Sequence, residues 1–396
     1  MKKLVSLLIL FLFGIHLSTA QNETCDCKKD LDFVVEKMTK MPSFKKQMNG
    51  DALDAFNQSY SNLSLKMNSP VSIETCYKLL QKQMMLVNDI HSNLDINSNY
   101  KSIEGYTANL QSTLNLDELK EKLATKPITA IEGLYNYGDK LVIGVFFNNS
   151  DTNLTGIVLE SKLNQWNIGD IKFTANHTGG SKYNVYHYDT DTKKPSIIKS
   201  LTLENGRLWS YKKQGNSANE ELPIKDQTNW EFKQLNETTQ YLYFGHFGNS
   251  KKKEHIAFYE DVKNKLTANN IIVDLRSNGG GNKKFSDVYL KLLKDKNVYI
   301  LTNCFTGSNG EQFTIKLKTL KNGKQLGQTT RGIIAYGMNY GYTFNTPSGY
   351  FSMTPTDMNF HEFYDYEGKG VSPDITLDFD KDWIEQTLEL INKSYK

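Results

Sequence analysis

From about residue 238 the chain alternates between short apolar runs and amphipathic stretches, and no other feature restricts its fold as much. "QYLYFGHF" (240–247) reads as a strand and "EHIAFYEDVKNKL" (254–266) as a helix with Ile256, Tyr259, Val262 and Leu266 on one face. "IIVDL" and "NVYILTN" read as further strands, with helices at "KFSDVYLKLLKD" and "SNGEQFTIKLKTL" after them, and "KQLGQTTRG" follows. A hairpin across "TFNTPSGYFSMT", a last strand in "VSPDITLD" and a closing helix at "DWIEQTLELI" complete the series. Strands separated by helices rejoin one sheet through crossovers, so the expected product is a mainly parallel α/β core.

Two regions of different character precede it. Residues 29–125 read as helical. Leu31, Val34, Val35 and Met38 share one face of the first helix, and Pro42 ends it. A second helix is expected over about 72–92, with Ile73, Tyr77, Leu80, Met84 and Val87 spaced alternately by four and three, and His91 next on that stripe. Residues 128–212 hold short aromatic and β-branched runs between Asn, Asp and Gly turns, which suggests a small antiparallel β unit. The expected organisation is a helical domain over 21–127, a β domain over 128–215 and the α/β core over 216–396, with a polar linker across 213–230.

Residues 1–20 read as a secretory leader. Lys2 and Lys3 precede the apolar run Leu4–Phe13, and Ser18, Thr19 and Ala20 supply a cleavage site. No other run approaches the roughly 20 apolar residues of a membrane span, so an extracytoplasmic protein is expected. Its 47 basic and 44 acidic residues leave a net charge of +3, too balanced to point to nucleic acid. Of Cys25, Cys27, Cys76 and Cys304, at most one of the closely spaced first pair is expected to bond to Cys76.

The strand "IIVDL" runs into "RSNGGGNK" (276–283). Bare backbone at the C-terminal edge of a parallel sheet suits a ligand that must approach closely. The loop lacks dinucleotide and Walker spacings, which leaves an oxyanion hole or a simple tight turn. One crossover later, "TNCFTGSNGEQF" places Ser308 at a strand–turn–helix junction with the Asn309 N–H at a helix start. The same Ser308-Asn-Gly-Glu311 spacing is a capping box, which needs no catalysis.

Together, "VDLRSNGGG", the Ser-x-x-Glu, the closing "EGKGVSPDITLD" and "NDIHSNL" (88–94) resemble the C-terminal processing (tail-specific) serine peptidases. The resemblance covers about 74–95 and 238–393. It implies a crotonase/ClpP-like α/β peptidase core, Ser308 as nucleophile, and Gly279, Gly280 and the Asn309 N–H as oxyanion donors. One branch of that family uses a lysine base, which would fall near Ile333, yet no lysine occurs from Gln325 to Gly368. The tricorn-core-like branch uses histidine and glutamate. Glu367, 367 − 308 = 59 residues past the serine, fits its glutamate. His91 carries the matching motif for the base, with His246 and then His361 as alternatives; His177 and His187 belong to the β unit, and His255 is expected on an exposed helix. Ser92 is a candidate to orient the base, although in the branch that serine precedes the histidine. The family often carries a PDZ domain where residues 128–212 show another β fold.

The implied function is a secreted serine peptidase acting on peptides or unfolded chains, without metal or cofactor. The alternatives are a non-catalytic binding protein on the same fold, like the interphotoreceptor retinoid-binding proteins, and an α/β-hydrolase esterase. The esterase is disfavoured because Thr306 stands where its Gly-x-Ser-x-Gly needs glycine.

Overall fold

In the computed structural model, residues 24–97, 108–148, 152–216 and 229–393 are described. The leader and most of the expected linker lie outside them.

The N-terminal helices Cys27–Lys40, Asp51–Lys66 and Ile73–Met84 pack their apolar stripes together. Leu31, Val34, Met38, Phe56, Tyr77, Leu80 and Met84 form their shared core. Cys27 bonds to Cys76 across 49 residues of chain, tying the first helix to the last, while Cys25 stays a buried thiol. The expected helix over 72–92 stops at Met84. Val87 is still buried, but residues 85–92 turn irregularly and lead into a strand, Asn93–Ile96, inside a region that reads as helical. Asn, Asp and Ser in "NDIHS" compete for backbone hydrogen bonds and so favour turns over helix.

Residues 133–213 form a closed, antiparallel, eight-stranded up-and-down barrel. Tyr211–Lys213 pairs with Gly133–Tyr137 to close it. Tyr135, Ile143, Val145, Val158, Phe173, Val185 and Leu201 fill the interior.

The core sheet has six strands. Trp230–Asn236 runs antiparallel at one edge; Thr239–Phe244, Asn270–Asp274, Asn297–Thr302, Gly323–Gly327 and Ile375–Thr376 follow in parallel register. Helices on its two faces enclose separate apolar layers around Val273, Ile300 and Phe313 and around Ile272, Leu326 and Trp383. The expected hairpin is present as Phe344–Asn345 and Phe351–Thr354, and its inner strand pairs with Asn93–Ile96 from Phe351↔Ile96 to Thr354↔Asn93. This three-stranded sheet stitches the N-terminal region to the core directly beyond His91. Among the described residues no helix is long and apolar enough to cross a membrane.

Candidate active site

The aspartate and arginine that end the strand at 274–276 serve its geometry. Arg276 turns back on Asp274, with Nε 3.0 Å from Oδ1 and Nη2 2.6 Å from Oδ2, and both side chains are fully enclosed. Tyr241 donates its hydroxyl to the same carboxylate (2.8 Å). A buried pair with every oxygen engaged holds the strand end against the next turn. Asn278 then laces the loop: its Nδ2 donates to the Phe244 carbonyl (2.7 Å), its own carbonyl accepts the Gly307 N–H (2.8 Å), and its Oδ1 accepts the Gly280 N–H (2.8 Å).

That last bond removes Gly280 from the expected oxyanion donors, because its N–H is already spent. Gly280 is glycine for a steric reason. With φ at +91°, a Cβ there would stand 2.6 Å from Ser308 Cβ and 2.7 Å from the Asn309 nitrogen. At Gly281 a Cβ would fall 2.1 Å from the Phe247 carbonyl oxygen. Gly279 is exposed, with open space around it, so packing does not demand a glycine there.

Ser308 sits in the opposing turn with φ +52° and ψ −127°, a conformation that costs a non-glycine residue about 1–3 kcal/mol. Its N–H is shared between the Ile333 carbonyl (2.8 Å) and Glu311 Oε2 (3.1 Å). The Glu311 carboxylate is wholly buried, and burial raises its pKa against the pull of Thr330 and of the Gly332 and Ile333 N–H groups, which donate at 2.6 and 2.9 Å. Glu311 therefore caps the helix Asn309–Lys318 and also fixes the irregular segment 330–333 against the serine turn. Among the described residues the Asn309 N–H, at the start of that helix, meets no backbone acceptor.

His91, Ser308, Asn309, Gly281, Gln312, Met338 and Phe360 line one cleft of about 500 Å³. His91 is the only histidine among its lining residues. Its Nδ1 is buried without a hydrogen-bond partner, and burial pushes the imidazole down to about 4. Asp89 opposes that shift and Lys199 adds to it. Buried polar atoms are normally paired, so an imidazole on the cleft wall with an unpaired buried nitrogen is a candidate functional position.

The remaining histidines lie elsewhere. His246 Nδ1 accepts the Gly248 N–H (2.9 Å) beside Trp230, outside the cleft lining. His361 is exposed next to Glu362. His255, expected on an exposed helix, is buried and stacked on Phe285 with ring centres 4.3 Å apart, because that helix turns this face onto the core.

Glu367 does not hydrogen-bond the imidazole. Its Oε1 accepts the Ile90 N–H (3.0 Å), and its Oε2 accepts the N–H groups of Ile334 (2.9 Å) and Ala335 (2.8 Å). Burial raises it to about 7 against those three donors. It thus ties the chain at His91 to the segment that follows the Ser308 contact at Ile333. Ser92 donates its hydroxyl to the Asp89 carbonyl (2.9 Å), so it shapes the turn instead of touching the ring. Asp89 accepts the Ser92 N–H (3.1 Å) and the Thr356 hydroxyl (2.5 Å). Lys199 and Thr356 are site residues that the sequence reading missed. The only local trace of Lys199 is a lysine amid the alternating apolar residues of "SIIKSLTL".

Comparison with known proteins adds a family match. Residues 282–377 match the model described as Peptidase family S41. No curated protein sequence matches the chain. Similar solved structures include a lipoprotein from Streptococcus agalactiae (11% identity, 93% of this chain and 96% of that one, TM-score 0.41). Others are a photosystem II D1 C-terminal processing protease (13%, 90% and 95%, 0.38) and mature CPAF complexed with lactacystin (12%, 93% and 98%, 0.44). TM-scores below 0.5 lend no weight to the assignment, which stands on the matched segment.

Proposed function

We propose that this chain, whose residues 282–377 match the model of Peptidase family S41, hydrolyses peptide bonds through an acyl-enzyme on Ser308. The observation that carries this reading is the cleft itself, where a strained serine at a helix start shares one cavity with an imidazole whose Nδ1 is unpaired. In this reading the neutral His91 takes the Ser308 hydroxyl proton as Oγ attacks the carbonyl carbon. The Asn309 N–H, together with Gly279 or Gly281, faces the oxygen that gains charge. His91 then returns the proton to the leaving amine, and water repeats the sequence to release the acid. Glu367 and Ser92 act on the backbone that carries the base. Substrates enter as peptides or unfolded segments, because the reacting atoms lie within a cleft.

The leader-like N-terminus and the Cys27–Cys76 bond support action in an oxidising, extracytoplasmic compartment. The deciding experiment is reaction with a fluorophosphonate probe followed by peptide mapping. Labelling of Ser308, lost in Ser308→Ala, is expected; an unlabelled but folded protein would favour a binding protein on the same fold.

A further inference from the structure

The barrel reaches into the active site at one point. Its strand Pro195–Glu204 pairs with Lys182–Tyr188 as Ile198↔Val185 and Leu201↔Tyr183, so Lys199 and Ser200 together oppose Asn184 alone. This is a β-bulge, and Ser200 carries its strain at φ +49°, with its N–H donated to Asn184 Oδ1 (2.9 Å). A bulge breaks the alternation of side chains and re-aims the residue it carries. Here the re-aimed residue is Lys199, whose Nζ donates to the Asp89 carbonyl (3.0 Å), the Ser92 carbonyl (2.8 Å) and Ser92 Oγ (3.3 Å). These groups bracket His91 on both sides. The Lys199 carbonyl in turn accepts Arg331 Nη2 (2.9 Å), and the Arg331 N–H donates to Thr306, two residues before the nucleophile. Behind the base loop, Lys199, Asp89 and Glu367 line a second cavity of about 720 Å³, so an unbraced loop has room to fall away from Ser308.

We propose that Lys199, presented by the bulge of the barrel, is a positioning residue that holds the His91 loop over Ser308. The inference rests on the assignment of His91 and Ser308 above. It gives the barrel a role in the chemistry: three hydrogen bonds from one ammonium fix the turn, and one carbonyl registers that ammonium against the serine side. The charge has a second effect. Lys199 disfavours protonation of His91, while Asp89 favours it, and Lys283 and Lys284 stand across the cleft. Lys199 itself faces Asp89, Glu367 and Asp95, and burial lowers it to about 8.

The test compares Lys199→Met, Lys199→Arg and Lys172→Met, the last removing a buried lysine that bonds only within the barrel, to Tyr188. Two readouts are taken on each full-length variant: the rate of fluorophosphonate labelling at Ser308 against pH, and the His91 pKa from NMR titration of its C2 proton. Lys199→Met should slow labelling about 10- to 100-fold, the scale of a misplaced catalytic group, and move the His91 pKa upward. Lys199→Arg should restore labelling and extend it above pH 8, where wild-type Lys199 loses its charge. Lys172→Met should leave both readouts near wild type. An unmoved His91 pKa with unchanged labelling in Lys199→Met overturns the proposal, as does an alkaline limb that Lys199→Arg does not shift. Failure of the wild type to label at Ser308 overturns the peptidase reading instead, and the His91 titration still decides whether Lys199 governs the loop.

Discussion

The two halves of the site are built differently. Ser308 is fixed by its neighbours in the core: Gly307 bonds to Asn278, Ser308 to Ile333 and Glu311, and Gly280 packs against its Cβ. The proposed nucleophile thus belongs to one sheet edge and two adjacent loops. The turn around His91 has few local bonds, chiefly those between Ser92 and Asp89, and otherwise depends on distant elements. It is held by Glu367 and Thr356 from the core, by Lys199 from the barrel, and by the strand pairing of Asn93–Ile96 with Phe351–Thr354. A nucleophile needs a strained, rigid turn, which short-range bonds supply. A base needs only to be brought within reach, and distant elements can do that.

Substitutions can break the comparison at either half. Ser308→Ala should lower peptide hydrolysis by about 10³-fold or more while thermal unfolding stays near wild type, since the turn is held through backbone groups. A large loss of stability would make the serine structural. His91→Ala should cost about 10²- to 10⁴-fold in kcat, and His246→Ala far less. The reverse ranking would move the base to the end of the core strand. Gly280→Ala should cost about 10²-fold in kcat, because the new methyl pushes against Ser308 and the Asn309 backbone, and a displacement near 1 Å is enough. An active Gly280→Ala enzyme would show that the two loops are less tightly packed than their geometry. Glu367→Gln leaves at least one of three buried N–H groups facing an amide instead of a carboxylate oxygen, so stability should fall by about 1–3 kcal/mol, with a smaller loss of kcat.

The smallest effect is one of pH. Folding lowers the His91 pKa from 6.5 to about 4 through burial. The base therefore stays neutral down to that range, and kcat/KM should hold from pH 7 to about pH 5, with its acid limb below. The unfolded chain takes up this proton first, so the contribution of neutral His91 is whole above about 6.5 and is lost as pH falls toward 4. An acid limb near 6.5 would place the working imidazole in water.

The same asymmetry governs what could be read from the sequence. Ser308, Asn309 and the glycine loop are contiguous motifs whose spacing encodes their geometry, and the α/β alternation points to a mainly parallel sheet but not to its antiparallel edge strand Trp230–Asn236. The β unit was legible from its turns, although closure into a barrel depends on pairing 211–213 with 133–137, which no local pattern records. The helix carrying His91 was drawn one stretch too long, because the stripe continues through Val87 while Asn88, Asp89 and Ser92 have already turned the chain. Gly280 was read as a donor because a sequence shows a missing side chain, not where the N–H points. Lys199 and Thr356 are 199 − 91 = 108 and 356 − 91 = 265 residues from the histidine they serve, with no periodicity to connect them.

The pairing of Asn93–Ile96 with Phe351–Thr354 also sets a timetable. As the chain emerges from the ribosome, the N-terminal helices and the barrel can fold early, since their contacts are local. The strand beside His91 must wait for a partner made 354 − 93 = 261 residues later. Ser308 appears before that partner does, and the Glu367 contact to Ile90 comes later still. Long-range pairings of this kind form last and slowly. A nascent chain in which Ser308 has been made therefore still lacks both the strand pairing and the Glu367 contact that brace the turn around His91.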